Sequence, residues 1–310
     1  MKHRPYIEYN LPLSAAVLPV LAYFAVFRHP LTAAEIFTFC GDPSTHAEAI
    51  EECLSELVRA GVVHQFDSFY QISPDPSWAI VRRESNQRAE QMLPRAKRMA
   101  RFIGRFPFIR AVMVSGSLSK HCMASDSDVD YFIVTAPGRL WLARTLLVLY
   151  KKTVLLNSHR YFCINYFVDE THLEIEEKNR FTATETVTLL PVWGHEYYTR
   201  FCCENAWAWT YYPYFAPRSV KAVPPTERGG GKKWVEWLLS GALGHWLDQK
   251  AMHLTVGFWK QKFPHLDAST FDLALKSRRG VSKHHPLHFQ KKVLERYEEY
   301  LGGLEATKFS

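Results

Sequence analysis

The chain has 310 residues, 47 % of them hydrophobic and 22 % charged, and 38 Lys and Arg against 31 Asp and Glu leave a formal net charge of +7. That composition excludes a disordered chain, a collagen and a multi-span membrane protein, and the length carries a prior of roughly two domains. The positive balance is diffuse and permits an anionic partner, nucleotide or nucleic acid. Six cysteines at 40, 53, 122, 163, 202 and 203 form no Cys-x-x-Cys pair, so the common zinc and redox spacings are absent. Reduced thiols in a cytoplasmic protein are expected.

From Tyr9 to Phe27 no residue is charged. A membrane span needs about 20 apolar residues, and Asn10, Pro12, Ser14 and Pro19 interrupt this run. The segment leads straight into a helical pattern, so a buried first helix over 14–27 is expected. A signal or anchor behind Lys2, His3 and Arg4 is the alternative.

Pro30 ends that helix, and Thr32 can cap a short second one carrying Ile36, Phe37 and Phe39. Gly41-Asp42-Pro43 is a turn. Ser44 or Thr45 then caps a third helix, in which Ile50, Cys53, Leu54, Leu57 and Val58 recur at helical spacing up to Gly61. Val62–Phe66 and Phe69–Ile72 flank Asp67-Ser68 as a short hairpin. Three helices and a hairpin over about 14–73 resemble a winged helix. The third helix of such a unit enters the major groove, yet here it carries Glu48, Glu51, Glu52 and Glu56 against Arg59. Phosphates repel that face. DNA is therefore not expected as a partner, and packing or protein contact is preferred.

Residues 77–105 read as one long helix with Pro94 inside it. Arg82, Arg83, Arg88, Arg95, Lys97, Arg98, Arg101 and Arg105 stand against Glu84 and Glu90. A solvated basic face is expected, with an anion-binding flank as the alternative.

The chemistry is concentrated in Ile109–Val134. A strand runs to Ser115, turns at Gly116-Ser117, and a second strand begins near Asp128. The two-residue strand period places Asp128 and Asp130 on one face with Val129 behind. Two carboxylates on one face repel each other unless a cation lies between them. Gly116 lets backbone approach a ligand, Ser117 offers a hydroxyl and an N–H to a phosphate oxygen, and hard oxygen donors favour Mg²⁺ or Mn²⁺.

Gly116-Ser117 followed by Ser127-Asp128-Val129-Asp130 resembles the motif of the DNA polymerase β-like nucleotidyltransferase superfamily, at the spacing of its minimal bacterial members. The resemblance covers about 20 residues. It implies a metal-dependent nucleotidyltransferase that moves a nucleoside monophosphate from an NTP to an acceptor and releases pyrophosphate. It implies catalytic, metal-binding Asp128 and Asp130, with Gly116, Ser117 and Lys120 on the triphosphate. The family holds its ions with three carboxylates. The next apolar strand, Arg160–Val168, offers Asn165 at the place of the third ligand. Asn is a weaker, neutral ligand and no base. Glu174 or Glu176, on a hairpin continuation, is the alternative third acid. With Asn165 in that place, one metal site is weakened or the chain is a nucleotide-binding module without turnover.

Residues 139–156 are expected as a helix crossing a mixed sheet. From about 181 a helical pattern is expected to the end. Within it, the aromatic stretch 193–217 is expected as core, with base stacking as the alternative. Residues 218–233 are expected as a flexible loop, and 232–262 as bundled apolar helices, with membrane-surface binding as the alternative. Lys276, Arg278, Arg279, Lys283, His284, His285 and His288 are expected as a solvated basic loop. The expected fold is α/β (α+β): a winged-helix-like unit at 1–76, a mixed-sheet nucleotidyltransferase core at 77–180 and a helical C-terminal domain at 181–310. The acceptor (small molecule, protein or RNA) cannot be read from these residues, and no membrane partner is expected.

Overall fold

A computed structural model describes residues 13–154, 161–227, 229–264, 271, 275–283 and 289–308. The first elements are α1 (Ser14–Ala25), α2 (Ala33–Thr38), α3 (Ala47–Arg59) and a hairpin of β1 (His64–Phe66) and β2 (Phe69–Gln71). The apolar run expected as a first helix is buried, with Val17, Leu18, Val20, Leu21 and Phe24 all in the core. No helix among the described residues is long and apolar enough to cross a membrane. Residues 9–12 of that run lie outside the described residues.

Thr32 caps α2 as its sequence suggests. Its hydroxyl accepts from the Glu35 backbone N–H at 3.2 Å, and the Glu35 carboxylate accepts from the Thr32 N–H at 2.9 Å. The other Glu35 oxygen accepts from Arg82 at 2.5 Å, so one residue both starts α2 and ties it to the long helix that follows. His46, not Ser44 or Thr45, is the residue before α3. Ser44 is already bonded to Asp42, its hydroxyl at 2.7 Å and its backbone N–H at 2.9 Å. α3 buries Ile50, Cys53, Leu54 and Leu57, and Glu48, Glu51 and Glu52 face solvent.

α4 (Ser77–Gly104) lays Ala89, Met92, Ala96, Ala100 and Ile103 on the main sheet. These positions recur every three or four residues, the stripe that a core-facing helix needs. Arg83, Arg95, Arg98, Arg101 and Arg105 are exposed, whereas Arg82 is buried.

Among the described residues the main sheet has six strands: β3 (Ile109–Ser115), β4 (Asp130–Thr135), β5 (Cys163–Asp169), β6 (Leu190–Trp193), β7 (Ser277–Arg278) and β8 (Val281–Lys283). Their order is β6-β3-β4-β5-β8-β7. β4 and β5 are parallel and joined through α6 (Leu140–Thr153), and the other pairs are antiparallel. The period of two sorts the central strands cleanly. Val112, Val114, Tyr131 and Ile133 pack toward α4 and α6, while Ala111, Met113, Phe132 and Val134 pack the other way. On that second face they meet Tyr198 and Phe201 of α8 (His195–Glu204). Both faces are covered, which explains why β3 and β4 read as unbroken apolar runs.

The expectation of helices alone after residue 181 is corrected. α7 (Arg180–Thr188), α8, α9 (Ala208–Tyr211), α10 (Gly230–Leu238), α11 (Ala242–Lys262) and α12 (Phe289–Lys308) are present, but β6, β7 and β8 come from this part too. β6 is four residues with Pro191 inside it, tolerable because it is an edge strand. β7 and β8 are short, and their strand state comes from pairing, β8 with β5 and β7 with β8, and not from any apolar alternation of their own.

The aromatic stretch is core: Tyr212 and Phe215 each lie 5.4 Å, centroid to centroid, from Phe39. The loop expected as flexible is pinned at 224–226. The Pro224 carbonyl accepts from the Gly194 N–H at 2.9 Å, and the Thr226 N–H donates to Glu196 at 2.9 Å. The expected solvated basic loop is corrected as well. Lys276 is buried between Glu176 (2.8 Å) and Glu177 (2.9 Å), and Lys283 is buried in β8. His284, His285 and His288 lie outside the described residues.

Candidate functional site

β3 ends at Ser115 and the chain turns at once into the one-turn helix α5 (Gly116–Ser119). Gly116 takes φ +66° there, a backbone state that side-chain-bearing residues rarely adopt. The register pairs Ser115 with Asp130, so the first residue of β4 lies beside that turn. The strand expected from about Asp128 begins two residues later, at Asp130. Asp128 is half-buried in the loop before it.

On its other side Asp130 pairs with Cys163 of β5. Tyr131 then faces Ile164 and Phe132 faces Tyr166, which leaves Asn165 as an extra residue in β5. A bulge of this kind turns successive side chains toward one face. Asn165 and Tyr166 both line one cavity as a result. The Asn165 amide donates to Asp130 Oδ1 at 3.2 Å and to Cys163 Sγ at 3.0 Å.

The cavity holds about 880 Å³. It brings together Gly116, Ser117, Lys120, Asp130 and Asn165 from the sequence-derived set. Asp128 is not on its wall, yet its charge reaches Asp130, Cys163 and Lys151. Glu174 and Glu176 are elsewhere. Their stretch is loop, with Glu174 paired to Lys178 at 2.7 Å and Glu176 to Lys276 and Arg278.

Among further groups on the cavity wall, Glu185 and His29 have no signal in the local sequence, and Arg82 and Lys283 stand in it only as members of basic stretches. Glu185 of α7 accepts from Lys120 Nζ at 2.7 Å, and Lys120 also donates to the Gly116 carbonyl at 3.0 Å. Arg82 bonds the ring of His29 as well as Glu35. Burial, then the charges of Arg82 and Lys120, hold His29 well below the usual imidazole range, so its ring is neutral at pH 7. Lys283 contributes a buried ammonium, its pKa lowered by that burial. The basic stretches at 82–105 and 276–288 contain Arg82 and Lys283, and nothing in the local pattern singles out either from its neighbours.

Burial pushes the Asp130 carboxyl up to about 6, and the nearby charges of Glu185 and Asp128 add to that. The Cys163 hydrogen bond and Lys120 offset part of it. Burial, with Asp130 and Asp128 beside it, pushes the Cys163 thiol up to about 12. All six cysteines are free.

A carboxylate disfavoured by its own burial is a group that gains from a cation. Among the described residues no cluster of three or more His, Cys, Asp or Glu side chains is placed to hold a metal ion by itself. Mg²⁺ is usually held by one or two carboxylates together with substrate phosphates. Asp130, one carboxylate on the cavity wall with the charge of Asp128 near it, fits an ion shared with a phosphate ligand and makes no cage for a bare one. Against family models, curated proteins and solved structures the chain has no match.

Proposed function

We propose that this cavity is the nucleotide site of a Mg²⁺- or Mn²⁺-dependent nucleotidyltransferase, acting on an NTP and an acceptor that is a small molecule, a protein or an RNA end. The observation that carries the reading is the contact of the Gly116 turn with Asp130, a carboxyl raised to about 6 at the start of β4 beside the end of β3. On this reading the β3–β6 sheet is a nucleotidyltransferase core. The first three helices and hairpin are a winged-helix-like unit, and the single β-bridge that joins Leu31 to Tyr70 of the hairpin supports it. The acidic outer face of α3 makes that unit a packing or protein-contact element and not a reader of DNA. A cytoplasmic location goes with an NTP substrate and free thiols.

A divalent ion, when bound, supplies positive charge at the triphosphate and at the attacking hydroxyl. Asp130, with Asp128, would hold it. Gly116 lets Asp130 lie against the backbone of the turn, and Ser117 would offer a hydroxyl to phosphate oxygens. Lys120 supplies a point charge, which Glu185 now neutralises at 2.7 Å. A phosphate oxygen takes the same place on the ammonium that the Glu185 oxygen holds. Binding of the triphosphate thus frees an acidic group on the wall of the site.

A second reading rests on Asn165. It points its amide N–H at Asp130, so it serves that carboxylate as a hydrogen-bond donor and adds no charge for a second ion. That favours a nucleotide-binding module of the same fold with little or no turnover. Incubating the protein with Mg²⁺, each of the common NTPs and a panel of acceptors, and following pyrophosphate release, separates the two. Release that is lost in Asp130→Asn supports the enzyme. Nucleotide binding without release supports the module, and no nucleotide binding by calorimetry removes both.

A further inference from the structure

α10 and α11 are attached to the sheet by their inner sides. Lys232 donates to the carbonyls of Gly104 (2.8 Å) and Ile109 (2.7 Å), and Glu236 accepts from Arg110 at 2.9 Å and from the Phe108 N–H at 2.6 Å. The turn between the helices is held by Arg139, which donates to the carbonyls of Leu239 (2.9 Å) and Ser240 (2.5 Å). Leu247, Ala251, Val256 and Trp259 of α11 pack into the main core.

The outward sides are apolar as well. On α10, Trp234, Trp237 and Leu238 share one face, and Trp237 is 72 % exposed. On α11, Leu243, Trp246, Lys250, Leu254 and Phe258 follow at steps of three or four residues. At 100° per residue this is a stripe about 120° wide, turned away from the buried Asp248 and Trp259 and bordering Leu247 and Ala251. Leu254 is 75 % exposed, and the Lys250 ammonium lies 5.8 Å from the centre of the Trp246 ring. Soluble surfaces seldom expose so many large apolar side chains together.

The charges of this stretch are of one sign. Between residues 229 and 264 the acids are Glu236 and Asp248, and both are buried. Glu236 is paired with Arg110, and Asp248 accepts from the Leu142 N–H at 2.8 Å. The exposed charges are Lys233, Lys250, Lys260 and Lys262.

We propose that the outward faces of α10 and α11 bind the surface of an anionic lipid bilayer. Tryptophan has an apolar body and an N–H donor and favours the boundary between headgroups and acyl chains. Lysines snorkel from there to anionic headgroups. Neither helix can span a bilayer, so the contact is a surface one. A second copy of this chain on the same face would bring two surfaces of the same positive sign together. Leu238, Leu243 and Leu254 offer no ring on which a nucleic-acid base could stack.

The test is co-sedimentation of the full chain with vesicles of phosphatidylcholine, with or without phosphatidylglycerol, while tryptophan fluorescence is followed. The native chain partitions onto the anionic vesicles with a blue shift, and more weakly onto the neutral ones. Trp237→Ser combined with Leu254→Ser weakens partition at least about tenfold. Lys233→Glu combined with Lys250→Glu removes the preference for anionic lipid, and circular dichroism checks that each variant is folded. Three results overturn the proposal: no partition of the native chain, partition unchanged in both variants, or a dimer or RNA complex of the native chain that these substitutions dissolve while lipid binding is absent.

Discussion

A Cβ placed on Gly116 would lie 2.6 Å from Oδ2 of Asp130. The glycine is therefore required twice, by its φ of +66° and by the carboxylate against it. A left-handed state costs a side-chain-bearing residue about 1–2 kcal/mol, and the contact requires Asp130 to move as well. Gly116→Ala is expected to lower the melting temperature by a few degrees and to weaken nucleotide binding about tenfold or more. Calorimetry with an NTP and Mg²⁺ checks it, and unchanged affinity would separate the turn from the site.

Asp130 makes stability depend on pH in an unusual direction. Its folded pKa of about 6 exceeds the ordinary 3.8. The stability from its protonated form is complete below about pH 4 and is lost as pH rises through about 6. At neutral pH the ionised carboxylate costs on the order of 3 kcal/mol. Asp130→Asn removes that cost. The variant should melt well above the native protein at about pH 8, and the gap should close at about pH 4. The same substitution should reduce any Mg²⁺-dependent turnover by at least about a hundredfold. Metal binding at about pH 5.5 should release close to one proton from the native site, and almost none at about pH 8.

Asn165→Asp replaces an amide donor to Asp130 by a second carboxylate. Two carboxylates at this distance disfavour each other's ionisation. Without Mg²⁺ the variant should lose about 1–2 kcal/mol at neutral pH, a fall of a few degrees in melting temperature. Mg²⁺ should restore the loss and bind more tightly than to the native chain. A melting temperature insensitive to Mg²⁺ in both proteins would count against a cation at this position.

Far from the cavity, the Arg110–Glu236 pair joins β3 to α10, with both side chains about nine-tenths buried. Burial works to raise the Glu236 carboxyl, but Arg110 and the Phe108 N–H hold it below the ordinary range. Glu236→Ala strands the guanidinium and should cost about 3–5 kcal/mol. Arg110→Met combined with Glu236→Leu should recover most of that, since an apolar pair needs no compensation. Urea unfolding of the single and double variants measures both.

The amino-acid sequence by itself determined the local elements whose cause is local. Thr32 and Glu35 start α2, the Ala89–Ile103 stripe makes α4 lie on a sheet, and the apolar runs at 109–115 and 130–135 are buried strands. The Gly116 turn and the acid that follows it were legible for the same reason, because φ preference and strand period act over a few residues. Other features depend on partners distant in the chain, and only the tertiary structure decided them. β8 is a strand because β5 offers it an edge, and β7 because β8 does, not because their sequence alternates. Asn165 reaches Asp130 because a bulge shifts β5 against β4. Glu185, 65 residues after Lys120 in sequence, meets it because the fold brings α7 to the Gly116 turn. The net charge of +7 said only that an anion could be a partner. Which lysines are neutralised inside, and which stand exposed among the tryptophans of α10 and α11, follows from which acids the fold draws inward.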